Sequence, residues 1–151
     1  MPPQLLDLGG WPEYHSHYIQ TLCQGPLTAA DGIDVYFKRE TFYHAFFESI
    51  EQTDDSFSLV RAQRMDWISA TLMDAKADRY QGWNRKRQQY DPLRRVDVVL
   101  EDFVVVLQLT RRQSQQLGAQ FVTCYQADRS IAKIRQSPLW NRRECEARLF
   151  G

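Results

Sequence analysis

The stretch Thr41 to Ile50, TFYHAFFESI, places one histidine, His44, among four aromatic rings. The chain has no nucleotide-binding glycine loop, no G-x-S-x-G elbow and no H-E-x-x-H pair. His15 and His17, two apart in HSH, would make a weak metal pair on a strand, but the pattern more often marks a solvated polar patch. Neither a metal nor a cofactor is expected. What remains is His44, the arginines Arg61, Arg64, Arg94 and Arg95, and the hydroxyls of Thr123, Tyr125 and Tyr80.

That inventory suits cleavage of RNA without a metal, because the substrate's own 2′-hydroxyl is the nucleophile. The protein then supplies a base for that proton, an acid for the leaving 5′-oxygen, and cations or donors for the crowded, negative transition state. His44 is the candidate base or acid, the arginines suit bidentate phosphate contacts, and Thr123, Tyr125 or Tyr80 can donate hydrogen bonds. Each has a plainer reading. A lone histidine is commonly a surface residue, and Arg61 and Arg64 can pair with acids on the preceding helix. Arg85, Lys86 and Arg87 can be a solvated loop. Tyr80, Trp83 and Tyr90 either stack single-stranded bases or cap the edge of a core.

The elements that must position these groups follow from periodicity. Residues 1–30 are broken by Pro2, Pro3, Gly9, Gly10, Pro12, Gly25 and Pro26 around a short helix, EYHSHYIQTL. IDVYF reads as one strand. Glu40 to Glu51 reads as a helix with Phe42, Tyr43, Phe46, Phe47 and Ile50 on one face and His44, Glu48 and Glu51 on the other, so Glu48 would neighbour His44 at i+4. FSLVRAQRMDWISATLMDA, capped by Asp55 or Ser56, reads as a longer helix with a Met65, Ile68, Leu72 stripe. A second stripe, Val60, Arg64, Trp67, Thr71, sets Arg64 beside an indole.

Three β-rich runs follow: RRVDVVL and FVVVLQL, joined by a tight hairpin at Glu101 and Asp102, then AQFVTCY after a longer connection, TRRQSQQLG. Thr123 and Tyr125 share one face of the last run. The tail suggests short helices split at Pro138. Helices followed by a meander predict an α+β fold, with N-terminal helices packed on a small antiparallel sheet and short C-terminal helices.

A chain of this length, 43% hydrophobic and 25% charged, can bury one core, so residues 1–151 are expected to be a single domain, neither disordered nor fibrous. No apolar run reaches the roughly 20 residues that span a bilayer, and MPPQLLDLGG lacks the features of a signal peptide. A cytosolic protein without membrane contact is expected, with Cys23, Cys124 and Cys145 as reduced thiols. Zero net charge hides a division: residues 1–60 hold two basic residues against nine acids, a net −7, leaving +7 on the remainder. The two segments either neutralise each other or leave the basic part for an anionic partner, with the first 60 residues as a lid over it. Trp11 and Trp140 are candidates for a dimer contact, and the oligomeric state stays open.

The succession YHAFFES, RAQRMDWISATLMDAKADRYQGW, RRVDVVLEDFVVVLQL and AQFVTCY resembles the phage-associated branch of the barnase, EndoU, colicin and RelE-like nuclease group, over about residues 35 to 136. In that group a histidine on an early helix precedes an arginine-bearing helix with a W-I-x-x-T-L pattern, basic strands and a late T-x-Y strand. The resemblance points to His44, Arg64, Thr71, Arg95, Thr123 and Tyr125. It implies helices on an antiparallel sheet and metal-independent cleavage of tRNA or another structured RNA, often as a toxin, which makes an immunity or antitoxin protein a candidate partner. In that reading His44 transfers protons, Arg64 and Arg95 hold the phosphate, and Thr123 with Tyr125 orient it, while Arg61, Thr71, Tyr80 and Arg94 bind substrate. The rival expectation is a non-enzymatic accessory protein of a phage or mobile element that binds protein or RNA on the same fold. An enzyme requires His44 in a cleft beside an arginine and a strand hydroxyl.

Overall fold

The structure is a computed structural model that describes residues 2–151. Gly10 leads into the first helix, α1 (Trp11–Leu22), with Pro12 in its first turn and the Glu13 carboxylate accepting the Gly10 N–H at 3.1 Å. Tyr14, Tyr18 and Leu22, four apart on one stripe, are buried. The short strands β1 (Leu27–Thr28) and β2 (Asp34–Tyr36) pair antiparallel. A 3₁₀ turn, Arg39–Thr41, then opens α2 (Phe42–Ala45).

The helix expected to run from Glu40 to Glu51 ends at Ala45, and the chain extends into β3 (Phe47–Glu48), paired with β4 (Ser56–Phe57). Phe46, at the helix end, is fully buried, and Phe47, the first residue of β3, packs on Phe57 with ring centroids 5.6 Å apart. Ile50, which a continuous helix would have put on the apolar face, is 70% exposed, and Tyr43 is exposed too.

The next helix is also divided. Ser58, not Asp55 or Ser56, is its cap, its hydroxyl accepting the Arg61 N–H at 3.3 Å. It runs as α3 (Leu59–Gln63), breaks at Arg64, and continues as α4 (Met65–Met73), which buries the expected stripe of Met65, Ile68 and Leu72. Asp55 instead closes the preceding loop, its carboxylate accepting the N–H groups of Ile50, Glu51 and Gln52 at 2.8, 3.0 and 2.9 Å. Those bonds, the one from Ile50 foremost, hold its carboxyl below the usual range.

After β5 (Asp78–Gln81) comes a small hairpin of β6 (Trp83–Asn84) and β7 (Gln89–Tyr90), and then the long strands β8 (Arg95–Leu100), β9 (Phe103–Arg112) and β10 (Gln116–Gln126). The connection between β9 and β10 is only Gln113–Gln115, because both strands extend through most of TRRQSQQLG. The tail holds α5 (Ile131–Ile134) and α6 (Arg142–Phe150), on either side of Pro138.

These elements make an α+β fold around a six-stranded sheet in the order β1-β2-β10-β9-β8-β5. The β8–β9–β10 meander and β5 pair antiparallel, as the sequence pattern implies, and β2 joins β10 in parallel. A parallel neighbour requires a long crossover, and here all of α2 to β9 intervenes between the two. On the inner face Val96, Val98, Val105, Leu107, Ala119 and Phe121 meet Tyr18, Phe42, Phe46, Met65, Ile68 and Leu72 from the helices. A bulge between Phe121 and Thr123 shifts the register, so Cys124 continues the inner face while Tyr125, opposite Val104, packs in the outer cluster.

On the outer face, one end forms a second apolar cluster of Tyr80, Val99, Val104 and Val106 beneath Ile131 and Ile134 of α5. The remainder, including Arg95, Asp97, Gln108 and Gln120, carries polar side chains. The acidic and basic segments are tied together by Arg79–Asp31 at 3.0 Å and Arg112–Asp34 at 3.6 Å, so part of the charge division is neutralised within the fold. The three cysteines are free, and burial pushes the Cys124 thiol up to about 12. Trp140 is buried, its indole N–H donating to the Pro92 carbonyl at 2.9 Å, which removes it from the exposed aromatics; Trp11 stays 44% exposed. Among the described residues, no helix is long and apolar enough to cross a membrane.

Candidate functional site

Between the β6–β7 hairpin and the near end of β8 and β9 lies a cleft of about 370 Å³, lined by Trp83, Asn84, Arg85, Lys86, Asp91, Arg94, Arg95 and Gln108. Its frame is made of backbone. The Gly82 N–H donates to the Arg95 carbonyl at 3.0 Å, and the Asp91 N–H donates to the Gly82 carbonyl at 2.9 Å. The N–H groups of Arg94 and Arg95 donate in turn to the Asp91 carbonyl at 3.2 and 3.1 Å. Residue 82 must be glycine for this closure, since a Cβ there would lie 2.4 Å from the Cβ of Arg95. The turn is further pinned by the Trp140 indole on Pro92.

The hairpin side is equally ordered. The Asn84 side-chain oxygen accepts the N–H groups of Lys86 and Arg87 at 3.1 and 3.2 Å, while its amide donates to the Asp91 carboxylate at 3.2 Å. One polar side chain thereby shapes the basic loop and satisfies the buried acid on the cleft floor. Trp83 meets Tyr90 edge to face at 5.1 Å and remains 45% exposed, and the Tyr90 hydroxyl is 3.3 Å from the Ser137 hydroxyl, which donates to it. The indole is a braced, accessible platform.

Five arginines outside the cleft have a carboxylate partner. Arg61 faces Glu48 at 3.8 Å, Arg79 pairs with Asp31, Arg112 with Asp34, Arg135 with Asp78 and Arg142 with Glu146. Among the described residues, Arg85, Lys86, Arg94 and Arg95 have no carboxylate at ion-pair distance, and all four are exposed. Four cations surround one carboxylate, that of Asp91, which leaves the lining three charges positive. Such a concentration of unpaired charge in a concave site attracts anions.

Asp97 lies two residues along β8 from Arg95, on the same face. Burial pushes its carboxyl up to about 6, against a smaller opposing pull from Arg95. Burial, with Asp97 adding to it, likewise raises the Tyr125 hydroxyl.

No family model, curated protein or solved structure matches the chain. Its own side chains are what speak for a function. Of the residues singled out from sequence, Arg94 and Arg95 come together in the cleft. Arg61 and Thr123 meet elsewhere, at the Ala45 carbonyl, to which they donate at 3.3 and 3.4 Å. His44 lies next to Ala45 in sequence. Because α2 stops there, its partner is not Glu48 but Asp54, at 3.0 Å from Nδ1, and the ring is 58% exposed.

Arg64 is occupied locally, donating to the Val60 carbonyl at 2.8 Å and lying over the Trp67 ring at 5.0 Å, so the expected indole contact is present. Thr71 is 2% exposed and Tyr80 6% exposed, which keeps both away from a ligand on the surface. Tyr125 is half-buried under the α5 cluster. His15 and His17 lie on a helix, not a strand; His17 is 2.7 Å from Asp66, and His15 packs against Phe42. Gly82, Asn84, Asp91 and Gln108 were missed. The stretch NRKRQQYD gives no sign in sequence of which strands it closes upon.

Proposed function

We propose that this chain binds RNA through the cleft at β6, β7 and β8, engaging single-stranded segments, as a non-enzymatic accessory protein would. The observation that carries this reading is the cleft itself, where four unpaired cations and one accessible indole converge. Cations hold a backbone regardless of sequence, and an aromatic face stacks any base. A cleft of about 370 Å³ admits a splayed nucleotide and excludes a duplex. The exposed Gln108 amide, able both to donate and to accept, can meet a base edge or a ribose 2′-hydroxyl. A small-molecule transferase is less well supported: the apolar cavity among Ala29, Ile33, Leu109 and Trp140 has a volume of only about 10 Å³.

The test is fluorescence anisotropy with a single-stranded RNA, its duplex and the matching DNA. Single-stranded RNA should bind most tightly, and Trp83→Ala should weaken it by about 1–3 kcal/mol, the usual worth of one stacked base. Equal binding of duplex and single strand, or no effect of the tryptophan, would refute it.

A second reading, metal-independent ribonuclease, is favoured by the His44–Asp54 pair. A carboxylate on Nδ1 fixes the ring and leaves Nε2 free for proton transfer. Asp54 is held for this by its N–H donating to the Ser49 hydroxyl at 2.9 Å. Wild type and His44→Ala should then be compared on total RNA in EDTA. A loss of about 10²-fold or more in fragment formation would establish the enzyme, and intact RNA with both proteins would leave the binding function.

A further inference from the structure

We infer that the cleft receives the phosphorylated end of a nucleic-acid strand, a terminal phosphomonoester, and not an internal stretch of backbone; this rests on the RNA-binding reading above. The first ground is charge. Arg85, Lys86, Arg94 and Arg95 share the cleft lining with a single carboxylate, that of Asp91, and one oxygen of that carboxylate is already covered by the Asn84 amide. The site is three charges positive within a volume of about 370 Å³, near the lower end of small-ligand pockets and suited to a single nucleotide unit. An internal diester brings one negative charge into that space. A terminal monoester brings about 1.5 to 2 at pH 7.

The second ground is acceptor geometry. Arg94 and Arg95 are successive residues whose backbone is fixed by the Asp91 carbonyl and by Gly82, so two guanidinium forks are presented from one rigid corner. A fork needs two acceptor oxygens. A diester has two non-bridging oxygens, enough for one fork, whereas a monoester has three and can satisfy both by sharing one. Trp83, exposed in the same lining, is then available to stack the terminal base, which has no neighbour on its outer side to compete for that face.

The third ground is the burial of the one acid: Asp91 is only 7% exposed and is held by the Asn84 amide, so the exposed cations of the lining are what an entering phosphate meets.

The same chemistry arises at either end of a strand, and the test separates the two. Three versions of one single-stranded RNA, carrying a 5′-phosphate, a 3′-phosphate or hydroxyls at both ends, are titrated with the full chain by calorimetry. One phosphorylated version should bind at least about tenfold tighter than the hydroxyl-ended strand, the size of a charge-assisted hydrogen bond to phosphate, and the version that gains identifies the end. Arg94→Gln/Arg95→Gln should bring it down to the hydroxyl-ended affinity. Should that variant fail to fold, Arg85→Gln/Lys86→Gln at the exposed loop serves the same purpose. Equal binding of all three versions overturns the inference while leaving single-strand binding intact; binding of none overturns both.

Discussion

Replacing Arg94 and Arg95 together by glutamine keeps two long hydrogen-bonding side chains in the cleft and removes two of its four unpaired positive charges. Because both arginines are exposed and lack an ion-pair partner, stability should change by no more than about 0.5 kcal/mol. Binding should change in a way that only charge explains. For single strands, each phosphate neutralised by a cation contributes about −0.7 to the slope of log affinity against log salt. Four cleft cations therefore limit the wild-type slope to about −2.8, and the double variant to about −1.4. Between 50 and 200 mM salt the wild type should lose up to about 50-fold in affinity and the variant only about 7-fold. The assay is anisotropy of a labelled single-stranded RNA at four salt concentrations, with thermal unfolding as the control. Parallel slopes for the two proteins, with folding intact, would mean that Arg94 and Arg95 touch no phosphate and that the cleft has been wrongly assigned.

Gly82→Ala should cost about 1–3 kcal/mol in urea unfolding, as overpacking does, because its Cβ would meet the Cβ of Arg95, which is fixed to a strand and cannot swing aside. RNA binding should weaken with it; an unchanged unfolding midpoint would contradict the close approach. Asp97 sets a pH dependence: with its carboxyl pushed up to about 6 in the fold and near 4 in the unfolded chain, the native state binds the extra proton over that interval, so this group makes stability fall as pH rises from about 4 to 6. Asp97→Asn should raise the melting temperature at pH 7.5 and not at pH 4, and a difference that ignores pH would refute the burial argument. At pH 7.5 the same variant should tighten RNA binding by removing a negative charge beside Arg95.

The helices and strands that obey one clear period were legible in the sequence. Tyr14, Tyr18 and Leu22 mark α1, Met65, Ile68 and Leu72 mark α4, and the β-branched, apolar runs of β8, β9 and β10 mark the meander. Each is a local pattern, since the face a residue takes in a helix or strand depends on its spacing from its neighbours. The same reasoning failed at Phe46 and Phe47, where consecutive aromatics satisfy a helical stripe on paper but the helix ends at Ala45 and Phe47 enters a strand against Phe57. That error carried over to the site, for it supplied His44 with Glu48 in place of Asp54.

Sequence by itself determined an α+β chain, neutral overall, with a basic stretch and several aromatics between residues 80 and 95. Only tertiary structure decided that Arg94 and Arg95 turn into a cleft with Trp83 while Arg64 stays on its own helix and Thr71 is sealed in the core. The physical reason is that convergence depends on contacts between distant or unpatterned positions. A missing Cβ at Gly82, a buried Asp91 shared with Asn84, and an indole arriving from Trp140 close the cleft together, and none of the three has a period that a linear reading detects.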